Sequence, residues 1–305
     1  MLDYRLVEAF AVVLEEKGFE KAARRLCITQ SAVSQRIKQL EEIYGQILLQ
    51  RINPPRPTEA GVSLLNHFVQ VRHLEEDLLA RSAQRTRDGF ITLAIGINAD
   101  SLAVWFLQAI QPFLADRRVV LELQVDDQDQ TDRLLQQGKV LGCITTRSSP
   151  LQGCRVSSVG VMEYQLCCTP AFQRTWFPHG LTAAAAEQAP VIRFNRKDGL
   201  NDLIFRQIFK VIPASSPTFF IPSTESFGDF VKSGLCYGVL PHQQAKILLE
   251  KGELVDLAPG HRVSVALFWH CWNLRSEILD LFTRQLLAGA NDILAAPAGR
   301  RSSGR

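Results

Sequence analysis

From Phe19 to Arg51 the chain reads FEKAARRLCITQSAVSQRIKQLEEIYGQILLQR, and no other stretch limits its fold so tightly. Phe19 to Leu26 has helical spacing, with Ala22, Ala23 and Leu26 on one face; the alanines are small enough for a second helix to pack closely there. Cys27, Ile28 and Thr29 make the turn. Thr29 or Ser31 can cap the next helix by accepting a hydrogen bond from an orphan backbone N–H. Val33, Ile37 and Leu40 then follow at spacings of four and three and form one buried stripe. Gln30, Ser31, Ser34, Gln35 and Lys38, with Arg36 alongside, are left on the polar face. Such side chains hydrogen-bond base edges and phosphates when a helix lies in the major groove of double-stranded DNA. The plainer alternative is a small helical bundle with a solvated basic face, and an isolated helix-turn-helix pattern does not decide between them.

Charge favours DNA. Between Lys21 and Arg56 there are seven Lys or Arg (Lys21, Arg24, Arg25, Arg36, Lys38, Arg51, Arg56) against Glu41 and Glu42, an excess of five, whereas all 305 residues together carry +3. Upstream, Leu6, Phe10 and Val13 share one stripe of a helix over residues 3 to 17, ended by Gly18; its mostly negative charge predicts a brace and not a DNA contact. Downstream, Gly45 stops the polar-faced helix and Gln46 to Pro57 fits a short wing. Pro54, Pro55 and Pro57 stiffen it, and Arg51 and Arg56 are placed to touch the phosphate backbone. Thr58 and Glu59 then open a helix running to about Arg87, roughly 45 Å long at 1.5 Å per residue. Leu64, Phe68, Val71, Leu74 and Leu78 recur along it at spacings of 4, 3, 3 and 4. That narrow seam suits pairing with a second copy of itself, and it also suits a helix lying on its own domain.

AARRLCITQSAVSQRIKQLEEIYGQILLQR followed by PRPTEAG resembles the LysR-type transcriptional regulators: helix, turn, a TQSAVS recognition helix, LE, Gly, paired apolar residues, Arg, and a Thr-x-x-Gly opening the linker helix. The resemblance extends over nearly the full length. INADSLAVWFL and FNRKD resemble the branch of the family that senses basic amino acids, also described as replication-initiation inhibitors. It implies an α+β two-part chain: a winged helix-turn-helix over 1–58, a linker and dimerisation helix over 59–88, and a two-subdomain, periplasmic-binding-protein-like α/β effector domain over 89–294. It further implies a homodimer or homotetramer, a double-stranded DNA operator, a lysine or arginine effector, control of a basic-amino-acid exporter gene, and a contact with RNA polymerase. The residues it places at DNA are Thr29, Gln30, Ser31, Ser34, Gln35, Arg36, Lys38, Arg51 and Arg56. A low-selectivity DNA binder acting in replication control or nucleoid architecture is the second reading.

From Phe90 strands alternate with helices, which predicts a parallel sheet. FITLAIGIN, VVLELQV and VLGCITT read as strands, with ADSLAVWFLQAIQPFL, capped by Asp100 or Ser101, and TDRLLQQG as helices. The unit then repeats through PVIRF, Leu200 to Lys210, TFFIP, Ser226 to Ser233 and CYGVLP. Crossovers near Arg147 to Gln165 and Val263 to His270 divide subdomain I, about 89–163 and 268–294, from subdomain II, about 164–267. Ser276 to Ala290 returns as a final helix to subdomain I, and the tail over 295–305 is expected to be disordered.

Ligands of open α/β sheets collect beyond the carboxyl ends of the strands. That rule selects Asn98, Asp100 and Ser101, Asp126 and Asp127, Thr145 and Thr146, Asn195 and Asp198, and Ser223, Thr224 and Glu225. The acids suit a cationic group, and Ser101 with nearby helix N-termini suits an α-carboxylate. Capping is the competing role for each Asp and Ser at a helix start. Trp105, one turn into its helix, is expected in the core. Where the branch pattern carries two acids after FNRK, this chain has Asp198 and then Gly199, which leaves lysine against arginine open.

Neither G-x-S-x-G, a P-loop, H-E-x-x-H nor paired C-x-x-C occurs, and the six histidines are scattered, so no enzyme, cofactor or metal site is expected. Seven cysteines, with Cys167 and Cys168 adjacent, fit reduced thiols. No apolar run reaches membrane-span length, and MLDYRLVEAF lacks the basic-then-apolar order of a secretory signal; a cytoplasmic protein without a membrane partner is expected.

Overall fold

The structure, a computed structural model, describes residues 3–83, 89–125, 131–213, 215–273 and 276–295; along the longest helix, side chains are described at 59–72 and at Glu75. Three helices, α1 (Tyr4–Glu15), α2 (Phe19–Arg25) and α3 (Gln30–Tyr44), form the head. Leu6, Val7, Phe10 and Val13 of α1 meet Ala22 and Ala23 of α2 and Val33, Ile37 and Leu40 of α3 in one buried cluster, on the predicted stripes. Thr29, not Ser31, caps α3, accepting from the Ala32 N–H at 3.2 Å, and Gly45 ends the helix at φ 75°.

The wing is a hairpin of β1 (Leu49–Gln50) and β2 (Arg56–Pro57), paired antiparallel. Glu41 organises it: Oε1 accepts from the Leu48 and Leu49 N–H groups at 2.9 and 3.2 Å. Thr58 donates to the Ile47 carbonyl at 2.7 Å and accepts from the Gly61 N–H at 3.1 Å, which ties the wing to the start of α4 (Glu59–Ala83). A Cβ on Gly61 would lie 2.1 Å from the Leu48 carbonyl oxygen. That close approach is what the Thr-x-x-Gly spacing provides.

Leu64 and Leu65 of α4 are buried in the head's own cluster, and Phe68 packs against it. The upper part of the seam is therefore occupied within one chain, because the 4, 3 spacing presents the same stripe to either partner. Val71 is half-buried, and the side chains of Leu74 and Leu78 lie outside the described residues. One helical turn beyond Leu65, buried Val69 reaches the second half of the chain: a Cβ on Gly138, at φ 66°, would stand 2.6 Å from Val69 Cγ2.

That half begins with β3 (Ile91–Ile97), followed by α5 (Ala99–Ser101), a π-helical turn (Leu102–Phe106) and α6 (Leu107–Asp116) in continuous succession. Asn98 is the N-cap residue, so Asp100 and Ser101 lie inside the first turn, and neither is the cap that the sequence suggests. Trp105 is buried as expected. Next come β4 (Val119–Val125), α7 (Thr131–Gln136), β5 (Gly142–Thr145) and the 15-residue β6 (Cys154–Cys168). The remainder comprises α8 (Pro170–Trp176), α9 (Ala183–Gln188), β7 (Val191–Arg193), α10 (Leu200–Phe209), β8 (Thr218–Phe220), α11 (Thr224–Lys232), β9 (Gly238–Pro241), α12 (His242–Glu250), β10 (Val255–Asp256), β11 (Val263–Trp272) and α13 (Glu277–Ile293).

The sheet is mixed, not parallel throughout. β3 pairs in parallel with β4 and β5, but β11 is antiparallel to both β5 and β6, and β9 and β10 are antiparallel to β6. β6 leaves subdomain I and β11 returns to it, so the two crossovers run side by side in opposite directions. β7 and β8 form a parallel pair joined to the rest by a Val191–Tyr237 bridge. α13, capped by Ser276, packs on α6; Phe282 meets Phe113 edge-to-face and Trp269 at a tilt, with ring centroids 5.5 and 5.6 Å apart. A large apolar cluster fills this half, and a smaller one around Ile192, Phe227, Val231 and Leu240 fills the outer part of subdomain II. Among the described residues no helix is long and apolar enough to cross a membrane. The expected disordered tail falls outside the described residues from 296 onward.

Candidate functional site

On α3, Gln30, Ser31, Gln35 and Lys38 are exposed, with Ser34 and Arg36 beside them, while Val33, Ile37 and Leu40 are fully enclosed. The polar face expected from the sequence is thus presented as one surface. Thr29 is exposed, but its hydroxyl is engaged as the cap and bonded to Ser31 Oγ at 2.9 Å. Arg51 brings the wing beside the same face, within 3.5 Å of Ser34 Oγ and 4.0 Å of Glu41, and Arg56 is exposed on β2. The basic excess counted along the sequence is smaller in space. Arg24 pairs with Glu20, and Arg25 with Glu15 and Glu16 at 2.8 and 2.9 Å; these acids precede the counted window.

A cavity of about 410 Å³ lies between the two halves of the α/β region, lined by Asn98 and Asp100 from the end of β3, Tyr164 of β6, Thr146, and the Phe194–Leu203 segment. Phe227, Val239, Pro241 and Val265 add apolar wall. Asp100 is held from two sides: Thr224 Oγ1 donates to Oδ1 at 2.6 Å and the Tyr164 hydroxyl donates to Oδ2 at 2.7 Å. Burial pushes the Asp100 carboxyl above its ordinary range; the Thr224 and Tyr164 hydroxyls oppose that rise, and the like charge of Asp198 adds to it. Asn98, next to it, is buried, and neither of its amide atoms has a hydrogen-bond partner among the described residues. Asp198 fixes its own loop, accepting from the Phe194 N–H at 2.8 Å and the Leu200 N–H at 3.0 Å, and Asn195 accepts from the Lys197 N–H at 2.7 Å. Asp198, one residue before the N-cap Gly199, thus braces this loop and lines the cavity at once. Lys197 belongs to the same lining.

Asn98, Asp100, Thr146, Asn195 and Asp198 are the sequence-selected residues that the cavity brings together. Four others stand apart. Ser101 is fully buried against Met162, and Thr145 is buried one residue before the lining Thr146. Ser223 caps α11 through the Ser226 N–H, and Glu225 points to solvent. Of that trio the helical phase turns only Thr224 inward, and a one-residue choice of phase is not readable from a short helix start. Asp126 and Asp127 lie outside the described residues. The strand-end rule passes over Tyr164 and Lys197; alternation along the strand containing Tyr164 is the signal available for the former.

The seven cysteines are free thiols. Burial pushes Cys154, Cys167, Cys168 and Cys236 up to about 12, which keeps them protonated and weakly nucleophilic near neutral pH. Among the described residues no group of three or more His, Cys, Asp or Glu is placed to hold a metal ion.

Residues 4–62 match the model of the bacterial regulatory helix-turn-helix protein, lysR family, and residues 91–291 match the LysR substrate binding domain. The HTH-type transcriptional regulator ArgP of Pectobacterium carotovorum subsp. carotovorum is 41% identical over 292 residues, covering 96% of this chain and 98% of that protein. Among solved structures, ArgP from Mycobacterium tuberculosis superposes with a TM-score of 0.86 at 37% identity, over 97% of this chain and 100% of the other. Full-length LysG from Corynebacterium glutamicum with bound effector Arg gives 0.82 at 31% identity, over 96% of this chain and 100% of the other.

Proposed function

The chain therefore belongs to the LysR family of DNA-binding transcriptional regulators, and from that premise we propose that its effector is a basic amino acid, lysine or arginine, bound in the cavity between the subdomains. The observation that carries this reading is that Asp100, Asp198 and Lys197 line one cavity. The charge of Asp198 raises the proton affinity of Asp100, and a cation placed between them relieves that repulsion. Lys197 and the unpaired Asn98 amide are available to the ligand's α-carboxylate, the part expected of Ser101 from the sequence. The bound Arg of LysG supports the same chemistry.

In this reading Gln30, Ser31, Ser34, Gln35 and Arg36 meet base edges, while Lys38, Arg51 and Arg56 meet phosphates. The boundaries near residues 58, 88 and 294 separate the head, linker and sensor. Two subunits pair through the part of α4 beyond the head's own cluster, giving a dimer or a pair of dimers in the cytoplasm that controls amino-acid export genes through RNA polymerase. Effector binding shifts the regulator only as far as it favours one arrangement of the subunits over the other. The low-selectivity architectural reading is not favoured, since such a binder has no need of a charged sensor cavity. The relatives are transcriptional regulators and not enzymes.

Fluorescence anisotropy on operator fragments selected from the organism's own genome tests this. Lysine or arginine should change the apparent affinity or the footprint, and specific complexes should survive a salt concentration that abolishes binding to random DNA. An effector-blind, salt-equivalent response to both DNAs would overturn it. Gln35→Ala should reduce the ratio of specific to random binding by about 1 to 3 kcal/mol with little change in thermal stability. An unchanged ratio would remove Gln35 from the base-reading set.

A further inference from the structure

Thr224 and the cavity-lining Asp100 come from opposite halves of the α/β region. Thr224 opens α11, whose Phe227 and Val231 are part of the smaller apolar cluster with Ile192 and Leu240. Asp100 follows β3, whose Leu93, Ile95 and Ile97 are part of the larger one. Their hydrogen bond, 2.6 Å long and 124 residues apart in sequence, ties the two halves directly. Tyr164, on the crossover strand β6, holds the other carboxylate oxygen. With both oxygens held, the Asp100 side chain has one orientation, and that orientation depends on where α11 stands.

We propose that Thr224 is the positioning residue of the effector site: reaching across the cleft, its hydroxyl aims the Asp100 carboxylate, so that a cationic ligand meets a correctly placed acid only when the subdomains stand at their closed spacing. This rests on the assignment of the cavity to a basic amino acid. A ligand held this way binds the closed arrangement better than the open one, which is the differential affinity that a ligand-driven shift requires. Thr224 carries no charge, so its part is to aim the carboxylate and not to pair with the cation itself. The charged and titratable groups around Asp100 are Asp198 and Lys197 from the loop before α10 and Tyr164 from β6. A hydrogen bond donated to an ionised carboxylate favours the ionised form, so removing the Thr224 donor raises the proton affinity of Asp100 further.

The test is calorimetric titration of the full chain with lysine and with arginine from pH 5 to 8, for wild type, Thr224→Val, Thr224→Ser and Asp100→Asn. Thr224→Val keeps the volume and loses the donor. It should weaken binding roughly tenfold at neutral pH, and the pH below which binding fades should move upward. Thr224→Ser, which keeps the hydroxyl, should restore both the affinity and the profile. If Thr224→Val does not fold, Thr224→Cys, of similar volume and a much weaker donor, makes the same comparison. Wild-type affinity and profile in the valine variant, with binding lost in Asp100→Asn, would overturn the positioning role while leaving the cavity assignment intact. Normal binding by Asp100→Asn, or none by wild type, would remove the cavity assignment and the positioning role with it.

Discussion

Gly61→Ala should lower the stability of the DNA-binding head by about 3 kcal/mol and reduce operator affinity at least tenfold, with effector binding unchanged. Two effects compete at this position. Alanine gains about 1 kcal/mol of helix propensity over glycine. Against that, its Cβ would lie 2.1 Å from the Leu48 carbonyl oxygen, and 3.1 Å from both the Leu48 carbonyl carbon and the Phe10 ring. A flexible side chain could swing aside, but the contact is backbone. Leu48 is itself pinned, its N–H bonded to Glu41 and the neighbouring Ile47 carbonyl bonded to Thr58. Relief requires moving either the wing or α4, and a moved wing carries Arg51 and Arg56 away from the face of α3. Hydrogen exchange at α2 and α3 amides reads the stability, and anisotropy on operator DNA reads the affinity. Wild-type behaviour in both would mean that the wing and α4 do not approach as closely as described.

Asp100→Asn should weaken lysine and arginine binding by about 2 to 5 kcal/mol, from roughly 30-fold to several thousand-fold, because a ligand cation is then buried without its partner. Operator binding in the absence of effector should persist. The sign of the pH effect is fixed by the raised carboxyl of Asp100. Its folded proton affinity exceeds that of the unfolded chain, so the empty protein loses stability as pH rises from the ordinary carboxylate range through the raised value. The Asp100→Asn substitution removes that loss, and the ligand-free variant should unfold at a slightly higher temperature than wild type at neutral pH. A cation favours the ionised form, so wild-type effector affinity falls as pH drops through the raised value. A variant that binds normally, or a wild type whose affinity grows as pH falls through that range, would contradict the role given to Asp100.

The head is legible almost residue by residue, since Val33, Ile37 and Leu40 sit on a strong helical period and local caps such as Thr29 and Gly45 need no tertiary information. Leu64 is ambiguous for a physical reason: a helical stripe records which face is apolar and not what covers it. The charge count overstates the free basic surface because Glu15 and Glu16 fold back onto Arg25 from another helix. In the sensor half, the strands and helices that bear the cavity are readable, the short α8, α9, β10 and α12 are not picked out, and the antiparallel course of β6 and β11 follows from how the subdomains are connected. Asp100 stands out as an acid directly after an apolar strand. Thr224 cannot be separated from Ser223 and Glu225 by sequence, because one residue of helical phase decides which of them turns inward to reach Asp100.

The most direct measurement is calorimetric titration of the full-length protein with lysine and arginine at neutral pH, repeated on Asp100→Asn. The account predicts saturable binding of at least one of them, close to one ligand per chain, and its loss in the variant. No binding of either amino acid at millimolar concentration, or equal binding by both proteins, would contradict it.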